Sequence, residues 1–237
     1  MSRLEGKTVF LTGGGSGIGK AATKMFLGEG ANVFVLEYSQ DNIDATMNEI
    51  DNGKLAMTRG DVADEASVAR AFAACVEKFG GVDILLNNAG LGIPTPDVSA
   101  TDLATYEKMF DVNAKGVFLC NREALKVMKP KGSGHILTLV SMAGQRTNPG
   151  APIYCASKFG ARALSMGLAD QVIKEGIRVT EINPGPTDSN YWGDREVPRE
   201  KMLSVEDVAN VIRFAATLPE HMVAREINFD SMAWLAR

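Results

Sequence analysis

The 237-residue sequence predicts an α/β domain, a doubly wound, mostly parallel sheet of seven strands, with residues 1–237 forming one unit. Three observations carry this. Short apolar runs alternate with helical stretches along the whole chain, the pattern of right-handed βαβ units. Most of the runs are uniformly apolar rather than alternating, as strands covered on both faces must be. No repeat, low-complexity tract or Pro/Gly/Ser linker divides the chain, whose length suits one large domain at about 100–200 residues per domain.

Strands are expected at Thr8–Leu11, Val33–Leu36, Leu55–Thr58, Val82–Leu86, His135–Val140, Val179–Ile182 and Glu226–Phe229, where β-branched or apolar residues cluster. Between the first two, Gly17 to Gly28 reads as a helix. A second helix starts near Asp41, with Ile43, Met47 and Ile50 at spacings that share one face. Others are expected over Glu65–Phe79, Leu103–Met128 and Tyr154–Lys174, and a last one from the cap signal Ser204-x-x-Asp207 to Leu218. Ligands of such sheets bind beyond the carboxyl ends of the strands, so the residues just after each strand are where chemistry is expected.

Composition excludes several classes. With 25 basic and 29 acidic side chains the formal net charge is -4, which argues against nucleic acid as a partner. No apolar run approaches the roughly 20 residues of a membrane span, and Val9–Leu11 is too short for a signal peptide, so a cytoplasmic location and no membrane partner are expected. Cys75, Cys120 and Cys155 are scattered and fit reduced thiols. With His135 and His221 as the only histidines, no metal site is expected, and a Ser-His-Asp triad would have to recruit one of those two. Glycine is enriched, at 24 residues, which asks for specific places.

One such place follows the first strand: Thr12-Gly13-Gly14-Gly15-Ser16-Gly17-Ile18-Gly19-Lys20. Free N–H groups and the positive end of the helix that opens there favour a pyrophosphate, and absent Cβ atoms let the backbone approach it. A Walker loop would need Ser or Thr after Lys20, where Ala21 stands, so dinucleotide binding is the better reading. At the end of the second strand Glu37 stands where a ribose should lie, able to accept hydrogen bonds from both adenosine hydroxyls. Its charge would repel a 2'-phosphate, and neither Ser16 nor Tyr38 offers a cation to hold one, so NAD(H) is expected over NADP(H).

Further segments, in order, resemble the short-chain dehydrogenase/reductase family over essentially the whole chain. Thr12–Gly19 resembles its TGxxxGxG loop, Asp61-Val62 its adenine-contacting pair and Asn87-Asn88-Ala89-Gly90 its NNAG signature. Asn113 matches the family's helix asparagine, and Ser141, Tyr154-Cys155-Ala156-Ser157-Lys158 and Pro184-Gly185-Pro186-Thr187 complete the pattern. The resemblance implies a Rossmann-like, NAD(P)-binding oxidoreductase with Asn113, Ser141, Tyr154 and Lys158 as its catalytic set. The implied cofactor set comprises Gly13, Gly15, Ser16, Gly17, Ile18, Gly19, Glu37, Asp61, Val62, Tyr154 and Lys158. Asn87, Ala89, Gly90, Pro184, Gly185 and Thr187 join it. The resemblance has Asn87 bracing the central strands, Gly90 beside the cofactor, Thr187 on the nicotinamide amide, Lys158 on the nicotinamide ribose and Asn113 positioning a water.

Physical reasoning reaches the same catalytic residues. Tyr154 and Lys158 stand at i and i+4 on a predicted helix and share a face. A free tyrosine, with a pKa of about 10, is a poor base at neutral pH, and a nearby ammonium favours its phenolate. Ser141, at a strand end, would hydrogen-bond the reacting oxygen. The expected reaction is hydride transfer between NAD(H) and a secondary alcohol or ketone, with Tyr154 as general acid/base. Two alternatives stand beside it: an NADP-dependent reductase of 3-oxoacyl or related carbonyls, and a dinucleotide-sensing module without turnover.

The substrate side is expected from Leu91–Pro96, Met142–Pro152 and the segment after Thr187. Met142, Arg146, Tyr191 and Trp192 are its candidate lining. Tyr191 and Trp192 would close over an apolar or ring-containing substrate. Arg146 and Arg195 either bind an anionic group or are solvated loop residues. Apolar positions in excess on the helices after Leu103 and Tyr154, including Met109, Phe110, Val117, Phe118, Leu164 and Met166, either fill the chain's own core or fit the four-helix dimer contact of relatives, and a homodimer or homotetramer is expected. The C-terminal Phe229–Trp234 departs from the glycine-ending pattern of relatives.

Overall fold

A computed structural model describes residues 3–236. Its sheet holds seven strands: β1 (Thr8–Thr12), β2 (Asn32–Glu37), β3 (Leu55–Arg59), β4 (Ile84–Asn87), β5 (Gly134–Leu139), β6 (Ile177–Pro184) and β7 (Glu226–Phe229). All pair in parallel, in the order β3-β2-β1-β4-β5-β6-β7. The five inner strands are buried on nearly every residue, as in β1, where all five are buried, whereas the edge strands β3 and β7 are partly exposed.

Two apolar layers clothe the sheet. On one face α1 (Gly17–Gly28) packs against α7 (Val205–Ala216), with Phe26, Ile212 and Leu11 in one core. On the other lie α3 (Glu65–Phe79), α5 (Gly116–Lys131) and α6 (Pro152–Val172), over Phe10, Phe72, Met128 and Ile136. Phe10 stacks between Phe72, 3.8 Å away between ring centroids, and Phe34 at 5.8 Å. Truncating a ring in such a core costs about 3–5 kcal/mol, a large share of a domain's stability.

Local chemistry sets the helix ends. The predicted cap before α7 forms in full: Ser204 Oγ accepts from Asp207 N at 3.0 Å, and Asp207 Oδ2 accepts from Ser204 N at 2.8 Å. Asp64 caps α3 at its start, and Gly80, in the left-handed region, ends it. Pro152 occupies the first position of α6, where its missing N–H is harmless. α2 (Gln40–Glu49) starts at Ser39, whose hydroxyl accepts from Asn42 N.

The expected helix Leu103–Met128 is not continuous. It runs as α4 (Leu103–Phe110), opens into a π-helical turn at Asp111–Lys115 and resumes as α5. Gly116 lets the resumed helix press on Val62, whose Cγ2 would lie 2.9 Å from an added Cβ. A short helix, α8 (Met232–Leu235), follows β7.

The chain leaves β1 toward β2 on one side, while β4 lies on the other, so a crevice opens between them at the carboxyl edge of the sheet.

Candidate active site

That edge carries a cleft of about 1250 Å³, larger than the roughly 300–1,000 Å³ of pockets that hold one small ligand. Gly13, Ser16, Gly17, Ile18 and Gly19 line its first part. Gly13 has φ 69°, which favours glycine, and a Cβ on Gly19 would stand 1.9 Å from the Gly13 carbonyl oxygen. Ser16 makes no side-chain cap on α1 and no acid occupies the first turn, so the helix end offers its N–H groups to an anion. Gly15 does not line the cleft. Its N–H donates instead to Glu37 Oε2 at 2.9 Å.

Glu37 is thereby more than a ribose partner. Its carboxylate is 5% exposed, braces the loop through Gly15 and the start of α2 through Ser39 N at 3.1 Å, and still lines the cleft. Asp61 and Val62 line the cleft beyond it, and Asp61 Oδ1 accepts from Ala63 N at 2.8 Å.

The expected brace between the central strands falls one residue later than Asn87. Asn87 turns its amide to Asn121 Oδ1 on α5, 2.8 Å away, and does not reach the cleft. Asn88 is the clasp: its Nδ2 donates to the carbonyls of Thr12 and Gly13 at 2.9 and 2.8 Å. Thr12 Oγ1 completes it by accepting from Asn88 N and Ala89 N, each at 3.0 Å. Adjacent residues of a strand point to opposite sides, and only tertiary packing decides which asparagine faces β1. Ala89 and Gly90 then line the cleft.

Ser141, Tyr154 and Lys158 converge at the middle of the cleft, all lining it. Ser141 is the one non-glycine residue with positive φ among those described, at φ 132° and ψ 157°. Its Oγ accepts from Ala143 N at 3.1 Å, which leaves the hydroxyl proton to donate. Lys158, 6% exposed, anchors Nζ on the Leu139 carbonyl at 3.1 Å and lies 6.0 Å from the Tyr154 ring centroid. A Cβ on Gly90 would stand 3.3 Å from that Nζ, so Gly90 leaves the ammonium room.

The expectation that Lys158 depresses the Tyr154 pKa meets a stronger opposing effect. Burial pushes the phenol pKa well above its usual value, Tyr191 adds to this and a hydrogen bond with Ser141 acts the other way. Burial also lowers Lys158 to about 8. Both groups are disfavoured in their charged forms. Tyr154 therefore rests as a proton donor.

Asn113 sits in the π-helical turn, 1% exposed, and does not line the cleft. Its Nδ2 donates to the Leu91 carbonyl at 2.7 Å and to Ser157 Oγ at 2.8 Å, while Oδ1 accepts from Leu91 N at 2.8 Å. Ser157 Oγ donates in turn to the Tyr154 carbonyl at 2.8 Å. Asn113 thus ties the loop after β4 to the turn of α6 that carries Tyr154. Ser157 and Asn88 carry no sequence signal of their own as supports, because each stands inside a motif whose neighbours draw the chemistry.

Pro184, Gly185 and Thr187 line the cleft after β6, with Thr187 Oγ1 on the Gly185 carbonyl at 3.1 Å. Met142, Arg146, Tyr191 and Trp192 line its far end. Arg195 does not: its guanidinium lies 4.9 and 5.0 Å over the Tyr191 and Trp192 rings and donates to their carbonyls, so the anion-binding reading fails there. His135 is buried with Nε2 against Thr180 Oγ1 at 2.9 Å, and His221 is exposed; neither lines the cleft, so no histidine joins Ser141 in a triad.

The family description "short chain dehydrogenase" matches residues 7–199, and the chain belongs to that family. An uncharacterized oxidoreductase of Staphylococcus saprophyticus is 30% identical over 230 residues, covering 96% of this chain and 98% of that one. Among solved structures, 3-ketoacyl-(acyl-carrier-protein) reductase from Brucella melitensis, complexed with NADH, matches with a TM-score of 0.90 and 26% identity, over 97% of this chain and 98% of that one. An alcohol dehydrogenase from Thermococcus sibiricus, complexed with 5-hydroxy-NADP, matches with a TM-score of 0.87 and 26% identity, over 96% and 97%. The protein is thus an oxidoreductase of the short-chain family, a class that binds a nicotinamide dinucleotide. No helix among the described residues is long and apolar enough to cross a membrane.

Proposed function

We propose that the protein transfers a hydride between NAD(H) and a secondary alcohol or ketone. The observation that supports this is that Ser141, Tyr154 and Lys158 line one cleft, Lys158 beside Gly90, together with the uncapped N-terminus of α1. Gly13, Ser16, Gly17, Ile18 and Gly19 would hold a nicotinamide dinucleotide, which would supply or accept the hydride. Tyr154 gives its proton to the ketone oxygen in reduction and takes it back in oxidation. The Ser141 hydroxyl donates to the same oxygen as negative charge develops there. The ammonium of Lys158, held on the Leu139 carbonyl, stabilises the phenolate left behind.

The experiment follows NADH absorbance with a panel of ketones, a 3-oxoacyl thioester included, from pH 6 to pH 10. Reduction needs Tyr154 protonated and Lys158 charged. Because Tyr154 is raised and Lys158 is lowered to about 8, kcat/KM is expected to hold level at low pH and to fall as pH rises through about 8. A rate that climbs through that range, or no turnover of any panel member by protein that binds NADH, counts against the reading.

We also propose that the protein is a homodimer or homotetramer through α5 and α6. Phe118 and Met166, 47% and 50% exposed, leave an apolar face there. Light scattering is expected to give at least twice the chain mass, and Phe118→Glu to lower it; a monomeric wild type would end this proposal.

A further inference from the structure

The far end of the cleft has a composition of its own. Tyr191 lies with its ring 5.4 Å from that of Tyr154 and at right angles to Trp192, 5.1 Å away. It seats on Gly92, where an added Cβ would meet the Tyr191 ring at 2.1 Å. Internal bonds hold this lid in shape. Trp192 Nε1 donates to the Thr187 carbonyl at 2.8 Å, Arg195 Nε donates to the Trp192 carbonyl at 2.8 Å, and Arg199 donates to the Gly193 carbonyl at 2.8 Å. Opposite, α8 packs on the lid turn at Arg199–Lys201 and brings Trp234 and Leu235 to the cleft wall.

Charge is partly paired in the same region. The described cations that line the cleft are Lys108, Arg146 and Lys158, and the Arg146 guanidinium pairs with Asp230 at 3.1 Å. Asp230 is fixed in turn, since its carboxylate fills the space beside Gly185 and accepts from Ser231 N at 3.0 Å. A substrate carboxylate at Arg146 would meet the Asp230 carboxylate already paired with that guanidinium. A ring finds Tyr191 and Trp192 already held edge to face, with little side-chain freedom left to lose, and Trp234 on the wall of the same cleft.

We infer that this end of the cleft is a preformed aromatic pocket for an uncharged ketone or secondary alcohol bearing a ring, with Tyr191, Trp192 and Trp234 setting specificity. The inference rests on the oxidoreductase reading above and names its substrate class.

The test uses the full chain with NADH and three ketones: acetophenone, its para-carboxylate and propanone. Acetophenone is expected to show a kcat/KM about tenfold above either of the others. Tyr191→Ala and Trp234→Ala should each cut the acetophenone-to-propanone ratio about fivefold, mostly through KM, and Trp234→Phe should restore most of it. Asp230→Asn, by releasing Arg146, should improve use of the para-carboxylate. Aryl alcohol added to the NAD-loaded protein should quench the fluorescence of Trp192 and Trp234, the two tryptophans of the chain. Equal or better use of the para-carboxylate by the wild type, or an unchanged ratio in both alanine variants, overturns the pocket and leaves the oxidoreductase reading standing. If none of the three ketones is reduced while another member of the ketone panel is, the pocket falls alone; if no panel member is reduced by protein that binds NADH, the proposed hydride transfer falls and the inference with it.

Discussion

Tyr154→Phe is expected to lower turnover about a thousandfold, within the range of about 10²–10⁴ that a positioned acid or base contributes, while NADH binds as before. The substitution removes one oxygen and keeps the ring on which Tyr191 rests, 5.4 Å away. Lys158 keeps its anchor on Leu139, because that bond does not pass through the phenol. Nothing in the glycine loop or at Glu37 is disturbed. The measurement pairs fluorescence titration of NADH with steady-state turnover of the best ketone. Turnover within tenfold of wild type would mean that another group delivers the proton and would remove Tyr154 from the mechanism.

The second large effect is expected at Glu37. Wild-type protein should favour NAD over NADP, and Glu37→Ala should reduce that preference about a hundredfold, since a like charge set against a phosphate costs several kcal/mol. Glu37 also accepts from Gly15 N and Ser39 N, and a buried donor left alone costs about 1–3 kcal/mol. The alanine variant should therefore melt at a lower temperature as well. Glu37→Gln separates the two contributions: it removes the charge, keeps an acceptor oxygen and should shift the cofactor ratio with a smaller loss of stability. Kd values for both dinucleotides, beside thermal melts, make the measurement. An unchanged ratio in both variants would show that Glu37 braces the loop and does not select the cofactor.

Much of this architecture was legible because few alternatives exist for it. Runs such as Val33–Leu36 are apolar on every residue, and only a strand covered on both sides uses them so. Gly13 and Gly19 were legible as a phosphate loop because the structure gives a Cβ no room at Gly19 and turns Gly13 into the left-handed region. What stayed hidden depends on single-residue offsets and on contacts between distant parts of the chain. The π-helical turn at Asp111–Lys115 inserts no breaker into the sequence, so periodicity runs through it unmarked. Asn87 and Asn88 differ only in which side of a strand end they face. The pairing of Arg146 with Asp230 joins residues 84 positions apart, and Trp234 reaches the cleft only because β7 ends beside it.

The backbone at Ser141 sets chemistry against durability in how this sequence can drift. A non-glycine residue held in a sparsely populated region costs about 1–3 kcal/mol, and here the residue so held also offers the hydroxyl at the centre of the cleft. Glycine would relieve the backbone and delete the hydroxyl; threonine would keep the hydroxyl and add a branch to a backbone already under strain. No replacement improves both properties. Selection for longevity alone pulls the position toward glycine and selection for turnover pulls it back to serine, so the identity of this one residue records which pressure a descendant of this chain has been under.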